Sequence, residues 1–592
     1  MVNNIMMSKQ FNEYSYKKFS IVLTLIFLIV TSYVAFFEHT SWIVDQDGIG
    51  YLHGGESILA GNGKNVKFFD APYGGAIFFA LVNSFFDDGF TVMKMISIIS
   101  GSGSVFLSYY ILRNVVRSRT AFLGQLFFAF SPWVGFFSIQ AEIDMFPIFF
   151  IMLSLYFITK SELSKFDILL SAVFIAISFM VRTQTIVVIF TIVITLMIFF
   201  KNDYRKNIKF LIIFLSVLFI SLGPLIYYNY DTHGVYFDHD LSFYLQFASK
   251  YQTIEWKERV TEIAVNGDGT LEAIFTDFDL FVKNYLYNLF NNSPSKFFNI
   301  FDKINISPIP IIPIIGAIPI IGGAIHIIKN YKNNHSKNIL PLLLLPLVFW
   351  LLTSLVNLSA GEQFLVIGIS FALFSAVFFS ETLPEKILKN RKTSQIKNLN
   401  IDNKKKLLIC SIIILILISN FGYSYVMYRA TTSFQAFENI STEIEYVFHP
   451  ELVQKRGDVL NDIWKKLEQE NNIENSYIMA PQLYFVPYGQ SKLLFAHFNE
   501  GPSDDTIENY ITRENWKFTE KFHSNIHSIP ADRLDENNPI PKYIVHIDRD
   551  FGKKQHEFIK ILNDPYDENI PSNFENIYFS KEHGITVYKI NN

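Results

Sequence analysis

Long apolar runs constrain this chain more than any other feature of its sequence. An apolar stretch near twenty residues crosses the roughly 30 Å hydrocarbon core of a bilayer as a helix, which satisfies its own backbone groups. The 592-residue chain contains eleven stretches of this kind or somewhat shorter, at 20–37, 91–112, 120–138, 145–159, 167–181, 185–200, 208–229, 306–328, 339–356, 364–380 and 407–427. The sequence therefore predicts a polytopic α-helical membrane protein with about eleven transmembrane helices.

The overall composition agrees with a membrane protein and excludes other classes. Only 18% of the residues are charged, whereas soluble domains carry about 25%. The 50 Lys and Arg residues nearly balance the 54 Asp and Glu residues, which argues against a nucleic-acid-binding protein because such proteins have a basic excess. The one cysteine, Cys410, excludes a disulfide framework and a cysteine-based zinc site.

Lysine and arginine residues in the short loops predict the orientation of the chain. They cluster in every second loop, at 9–18, 113–119, 160–165, 201–209, 329–337 and 386–406. The short loops between these clusters, 139–144 and 357–363, carry none. This distribution predicts a cytoplasmic N-terminus, an external C-terminus and a first span that serves as an anchor rather than a cleaved signal.

Residues 73–86 form an apolar run that does not fit this orientation as a span. Fourteen residues are too few to cross the hydrocarbon core comfortably. A span here would also move the cluster at 113–119 to the outside. We therefore predict a helix that lies in or dips into the outer interface, within a single outer loop at 38–90.

Three outer regions are large enough to bind a ligand: 38–90, 230–305 and 428–592. The expected organisation is a cytoplasmic tail at 1–19, a multi-spanning domain at 20–427 and an extracytoplasmic α/β domain at 428–592. The α/β prediction depends on a helical stretch followed by short strand-like runs, near 476–479, 492–495, 543–547 and 585–590.

Acidic residues at the predicted outer membrane surface are the first candidate site residues, because ionisable groups at membrane depth are costly and tend to be functional. Asp45 and Asp47 follow the first span in the outer loop. Glu142 and Asp144 lie in the short loop between the third and fourth spans. Both pairs also fit ordinary helix N-capping, so the local sequence leaves a structural and a catalytic interpretation open.

Three further polar residues belong to the same predicted surface. Arg182 lies between two spans on the side that the charge rule disfavours, which implies an acidic partner or a phosphate. A side chain that snorkels at a helix end is the alternative. Glu362 and Gln363 occupy the outer turn before the tenth span. No P-loop, GxSxG, HExxH or dinucleotide-binding fingerprint is present with its required context.

The outer segments resemble those of the GT-C superfamily, polytopic glycosyltransferases that take a sugar from a polyprenyl phosphate. In that family an outer-loop Asp precedes a Tyr by four residues, as Asp47 precedes Tyr51, with a helix-ending Gly similar to Gly61. The family turn into an interfacial helix is similar to Phe69-Asp70-Ala71-Pro72-Tyr73. Its frequent Lys-Pro-Pro is absent there, and the basic residue often found in the later turn is replaced by Glu362-Gln363-Phe364.

Two later segments add to the resemblance. A Ser-Pro run that leads to an acid is similar to Phe130-Ser131-Pro132-Trp133 with Glu142, and a basic residue between two later spans is similar to Arg182. The branches nearest in appearance are the protein mannosyltransferases, the aminoarabinose transferases and the lipopolysaccharide-type transferases. The resemblance covers most of residues 15–380.

The resemblance implies an inverting glycosyltransferase that moves a sugar from a polyprenyl-phosphate donor to an extracytoplasmic protein, lipid or glycan acceptor. Asp47, with Asp45 nearby, is the implied catalytic base. The implied substrate-binding residues are Tyr51, Asp70, Glu142, Asp144, Arg182, Glu362 and Gln363. The sequence requires no cofactor, although Asp45, Asp47 and Glu142 are candidate ligands for Mg²⁺ or Mn²⁺.

The expected partners are the donor, its acceptor and the lipid bilayer, with no nucleic acid, and the expected location is the plasma membrane. Two alternatives remain open. A glycan polymerase or ligase would place its chemistry in the 230–305 loop. A non-catalytic glycolipid transporter would show inverted repeats between its halves, and no repeat is visible in the sequence.

Overall fold

The computed structural model describes most of the helical region and part of the C-terminal region. The described residues are 2–38, 51, 54–55, 58–59, 74–86, 89–199, 203–233, 275, 278–292, 311–334, 337–355, 365–384, 407–415, 417–418, 462–463, 465–467, 469, 477–480, 492–495, 542–547, 562, 564–581 and 584–591.

Helices make up most of the described residues before 420. They are α1 (Val2–Tyr33), α2 (Gly74–Asn83), α3 (Gly89–Val115), α4 (Ser118–Ala129), α5 (Pro132–Ile139), α6 (Met145–Ile158), α7 (Lys165–Val181), α8 (Ile186–Phe199), α9 (Tyr204–His233), α10 (Phe278–Tyr287), α11 (Ile311–Asn334), α12 (Leu340–Thr353) and α13 (Gly368–Val377). Turns of π-helix extend three of them, at Val34–Glu38, Asn288–Asn292 and Phe378–Thr382. A further helical segment covers 407–415.

All eleven predicted apolar stretches coincide with helix, the last of them in its first half. Within the described ranges, four helices are long and apolar enough to cross a membrane, or five if α4 and α5, bent by 56°, count as one span. Several others are short: the 14 residues of α6 rise about 21 Å. The protein is an integral membrane protein of the expected helical class, while the number of spans and their orientation stay predictions.

One apolar core joins the helices α3 to α9 with α11, α12 and α13. Helix α7 packs against α6 and α9, and α3 packs against α1, α4 and α6. Small residues permit this close approach, because a Cβ on Gly101 would overlap Ser138 of α5 and a Cβ on Gly103 would overlap the Phe149 ring of α6. Association in lipid depends on such packing, since the hydrophobic effect does not drive helices together there.

A buried glutamine ties three of these helices together. Gln125 of α4 is 0% exposed. Its Nε2 donates to the Ser20 carbonyl of α1 at 3.2 Å, the Thr24 hydroxyl of α1 at 3.3 Å and the Val105 carbonyl of α3 at 3.1 Å. In a membrane domain a side-chain hydrogen bond between helices is worth about 0.6–2 kcal/mol.

We therefore expect Gln125→Met, which keeps the length of the side chain but removes its donors, to destabilise the protein by about 1–2 kcal/mol. Thermal unfolding in detergent measures the loss. Leu126→Met, one residue along the same helix and without a polar group, is the control. An equal melting temperature for Gln125→Met and the wild type would contradict the tie.

Helix α2 is the structure of the apolar run at 73–86. Its ten residues rise about 15 Å, half of the hydrocarbon core. One face is buried by Gly75, Ala76, Phe79 and Ala80, and the helix packs against α3 and α7. This agrees with the expectation that the run does not span, while its placement at the outer interface stays a prediction.

Five strands form one sheet in the C-terminal region. They are β1 (Tyr477–Ala480), β2 (Lys492–Phe495), β3 (Tyr543–Ile547), β4 (Phe574–Ser580) and β5 (Ile585–Ile590), in the order β2-β1-β3-β5-β4. β1 pairs in parallel with β2 and β3, and β5 pairs antiparallel with β3 and β4. Four of these coincide with the predicted strand-like runs. The α/β domain as a unit stays a prediction, because most of 428–592 lies outside the described residues.

Candidate active site

The loop between α5 and α6 is buried along its whole length. Gln140, Ala141, Glu142, Ile143 and Asp144 are all buried. Loops usually run over the surface, because their backbone polar groups need water. A buried loop that carries two carboxyl groups and an amide is therefore a candidate for chemistry.

Asp144 pairs with Arg182. Oδ1 of Asp144 lies 2.5 Å from Nη2 of Arg182. The Asp144 side chain is 6% exposed and the Arg182 side chain is 12% exposed. Asp144 makes no capping hydrogen bond to the start of α6, so the pairing is its side-chain role in this structure. The guanidinium of Arg182 is thus held at the end of α7 instead of snorkelling to the surface.

The turn that carries Arg182 is fixed to α6. Arg182 has an extended backbone (φ −140°, ψ 121°), and its N–H donates to the Ser178 carbonyl at 3.0 Å. The Ser178 hydroxyl donates to the Pro147 carbonyl of α6 at 3.0 Å and lies 2.8 Å from the Thr185 hydroxyl. These bonds hold the ends of α6 and α7, and with them both partners of the ion pair, at a defined separation.

Tyr51 docks onto the same turn from the outer loop. Its hydroxyl donates to the Val181 carbonyl, next to Arg182, at 3.1 Å, and its side chain is buried. The ring lies so close to Gly75 of α2 that a Cβ there would overlap it. Helix α2 in turn contacts the start of α6, where the ring centroids of Phe78 and Phe146 are 4.1 Å apart.

Glu142 and Lys94 complete the charged groups of this region. The Ser97 hydroxyl of α3 donates to the Glu142 carbonyl, and the Glu142 side chain is buried. Lys94, one turn before Ser97 on the same helix, is also buried, and its Nζ donates to the Ala35 carbonyl at 3.1 Å. The sequence analysis missed Lys94. A lysine three residues inside the predicted span 91–112, at its outer end, is the signal that marks it.

The structure thus brings Tyr51, Glu142, Asp144 and Arg182 into one region. The other predicted site residues, Asp45, Asp47, Asp70, Glu362 and Gln363, lie outside the described residues. Their roles, and those of the four residues placed here, stay predictions.

The part of the chain that the structure describes contains no set of side chains placed to bind a metal ion. That part contains no group of three or more His, Cys, Asp or Glu residues placed to hold an ion. Of the three candidate ligands only Glu142 belongs to it. The Mg²⁺ or Mn²⁺ hypothesis therefore stays a prediction.

The close approach of α2 to α7 makes a testable prediction. A Cβ on Gly74 would overlap the backbone carbonyl of Met180, two residues before Arg182. Backbone cannot give way as a side chain can, so we expect Gly74→Ala to destabilise the protein by about 1–3 kcal/mol. The measurement is thermal unfolding. Gly368→Ala is the matched control, because Gly368 is also the first residue of its helix, α13, and a Cβ there would lie in ordinary contact with the Phe128 ring at 3.4 Å. It should retain or raise stability by up to about 1 kcal/mol; equal effects of the two substitutions would contradict the packing argument.

The segment of the chain that carries this arrangement is similar to a known protein family. The family model for dolichyl-phosphate-mannose-protein mannosyltransferases matches residues 70–228. That segment runs from just before α2 to near the C-terminal end of α9, and so includes the loop at 140–144 and Arg182. No curated protein sequence matches the chain.

Solved structures give a similar answer for the fold. ArnT from Cupriavidus metallidurans bound to undecaprenyl phosphate superposes with a TM-score of 0.52 at 10% identity, covering 96% of this chain and 97% of ArnT. The archaeal oligosaccharyltransferase AglB from Archaeoglobus fulgidus, in complex with an inhibitory peptide and a dolichol-phosphate, gives a TM-score of 0.45 at 11% identity, covering 89% of this chain and 69% of AglB.

The chain is thus similar to the dolichyl-phosphate-mannose-protein mannosyltransferase family over residues 70–228 and to ArnT in overall fold.

Proposed function

We propose that this protein transfers a sugar from a polyprenyl-phosphate donor to a hydroxyl-bearing acceptor on the outer face of the plasma membrane, with inversion at the anomeric carbon. The observation that carries the proposal is the buried Asp144–Arg182 pair, with Tyr51 bound to the turn that holds the arginine. ArnT, which shares the overall fold, was solved with undecaprenyl phosphate bound, and this supports a donor of the same class here.

Chain length brings the proposed base towards the pair. Asp47 precedes Tyr51 by four residues, and four residues span at most about 14 Å. Tyr51 is itself fixed beside Arg182 by its bond to Val181. This short separation along the chain supports Asp47 as the base for a substrate bound at the ion pair.

The reaction needs one base. The acceptor hydroxyl attacks the anomeric carbon as Asp47 accepts its proton. The bond from that carbon to the phosphate oxygen breaks, and its electron pair leaves with the polyprenyl phosphate, which is already a stable anion. Because attack occurs on the face opposite the phosphate, the configuration at the anomeric carbon inverts. Asp45 and Asp70 belong to the same outer segment as Asp47.

Arg182 is the proposed counter-charge for the departing phosphate. Electrostatic stabilisation is strongest where charge develops and donors are fixed in advance. Asp144 supplies that fixation, because it holds the guanidinium by an ion pair of 2.5 Å. Asp144 is thus a positioning residue in this proposal, and Glu142 and the turn at Glu362-Gln363 are left to bind the acceptor.

The direct test uses the full-length protein in lipid vesicles, with polyprenyl-phosphate-linked sugars and three classes of acceptor: hydroxyl-bearing peptide, glycolipid and oligosaccharide. The expected result is release of free polyprenyl phosphate together with a product of inverted anomeric configuration, read by NMR. Retention of configuration would contradict the single-base mechanism. Movement of the lipid-linked sugar across the bilayer without phosphate release would favour the transporter alternative.

A further inference from the structure

We infer that Gln140 binds a hydroxyl group of the transferred sugar and so contributes to donor specificity. This inference rests on the proposed function and adds to it a sugar-recognition residue. The amide of Gln140 lies at the start of the buried loop that ends in the Asp144–Arg182 pair.

The observation behind the inference is that the side-chain amide of Gln140 is buried and makes no hydrogen bond to any described residue. Gln140 is 0% exposed. Among the residues that the structure describes, neither Oε1 nor Nε2 of its buried side chain has a hydrogen-bond partner. Most buried side-chain polar atoms have a partner, so each exception in a folded protein requires an explanation. A group that gains a partner only when substrate binds is one such explanation.

A comparison within the chain sharpens this point. Gln125 is equally buried, but its Nε2 has the three hydrogen-bond acceptors described above, and only its Oε1 lacks a partner among the described residues. Burying an amide without partners opposes folding, whereas burying it with partners does not. Gln125 therefore serves the fold, while Gln140 costs stability in the structure as it stands.

The position of Gln140 is suited to a substrate. It follows α5 directly, with an extended backbone (φ −76°, ψ 149°). Two residues later the Glu142 backbone is bound by Ser97, and four residues later Asp144 holds Arg182. A sugar whose phosphate lies at Arg182 is therefore within one short loop of the Gln140 amide. Because the amide is fully covered, the sugar has to displace part of its cover on binding.

The chemistry of the amide selects a hydroxyl group over the phosphate. A carboxamide offers two N–H donors and a carbonyl acceptor, and a sugar hydroxyl both donates and accepts. A phosphate presents only acceptors and a charge, which Arg182 matches better. A site built to hydrogen-bond a hydroxyl also discriminates strongly against substrates that lack it.

A matched pair of variants tests the inference. Gln140→Met and Gln125→Met make the same chemical change at two equally buried positions. We expect Gln140→Met to retain or raise the melting temperature and to lower kcat/KM for the donor about tenfold or more. We expect Gln125→Met to lower the melting temperature and to leave kcat/KM within about twofold once measured well below unfolding. A purely structural role for Gln140 would produce the second pattern at both positions.

A binding measurement separates this inference from the proposed function. The probes are undecaprenyl phosphate alone and undecaprenyl phosphate carrying mannose, glucose, galactose or a pentose. We expect at least one sugar-bearing lipid to raise the melting temperature of the wild type more than the bare lipid does. In Gln140→Met that difference should vanish, while the shift from the bare lipid persists.

Three results would overturn the inference. The first is that the wild type binds every sugar-bearing lipid no better than bare undecaprenyl phosphate. The second is that Gln140→Met keeps the wild-type preference for a sugar-bearing lipid, and the third is that Gln140→Met turns over the donor at the wild-type rate. The last two leave the transferase proposal intact. If sugar-dependent binding requires Gln140 but no polyprenyl phosphate is released, the transferase proposal fails, while the inference that Gln140 binds the sugar is retained.

Discussion

Replacement of Asp47 by Asn is expected to lower sugar transfer by about 10²–10⁴-fold, the usual contribution of a general base. The amide keeps the size of the side chain but accepts no proton at neutral pH, so the acceptor hydroxyl would have to attack without losing its proton. The initial rate of polyprenyl-phosphate release in reconstituted vesicles measures the loss.

Asp45→Asn is the matched control for that prediction, because it makes the same change in charge two residues away. We expect it to retain most of the activity if Asp47 alone is the base. Equal losses in the two variants would instead indicate a role that both carboxylates share, such as holding a cation. An Asp47→Asn protein with wild-type rates and wild-type yield would remove Asp47 from the mechanism.

Replacement of Arg182 by Met is expected to destabilise the protein by about 3–5 kcal/mol, because it leaves the carboxylate of Asp144 buried without its counter-charge. The double variant Arg182→Met/Asp144→Leu removes both charges and should recover most of that stability. Thermal unfolding measures both. Donor use should stay impaired in the double variant, since the proposed counter-charge for the phosphate is still missing.

The chain offers a control pair for this experiment. Lys160 and Asp167 also form an ion pair, at 2.6 Å, but the lysine side chain is 32% exposed. Lys160→Met should therefore cost only about 0–1 kcal/mol and should not affect donor use. If Arg182→Met costs no more than Lys160→Met, or if the double variant regains full activity, then Arg182 has neither the structural nor the chemical role assigned to it.

Much of the helical architecture was predictable because lipid leaves the backbone little choice. Each apolar stretch near twenty residues must satisfy its own backbone groups, so the position of a helix follows from hydrophobicity alone. The short run at 73–86 was also interpretable, since ten helical residues cannot cross the core. Whether each short helix spans depends on tilt and packing, which the sequence does not encode locally.

The site was predictable in its residue types and less so in its contacts. An arginine on the disfavoured side of the membrane implied a partner, and the structure provides Asp144. The identity of that partner could not be predicted, because it depends on how α6 and α7 pack. Lys94 was not recognised as a site residue, because a single charge near the end of a long apolar run does not change the prediction of a transmembrane helix there. Gln140 escaped notice because the burial of a loop is a tertiary property.

Strand β4 shows a third kind of limit. A strand is recognised from the sequence by alternation of apolar and polar residues. The pairing of β4 with β5 contains an irregularity between Asn576 and Tyr578, and this shifts the alternation by one residue. Exposure does not alternate strictly along β4, because Glu575 and Asn576 are both exposed whereas Ile577 and Tyr578 are both half-buried. The strand-like runs without such a shift were found.

The position of β5 in the sheet sets an order of events during synthesis. Among the described strands β5 comes last along the chain, yet it lies between β3 and β4 and bonds to both. Until the ribosome has released this segment, β3 and β4 have no common neighbour and their facing edges stay unpaired. The helices that precede it can enter the bilayer while translation continues, whereas the sheet can close only after β5 has been synthesised. Maturation of the two regions is therefore staggered in time.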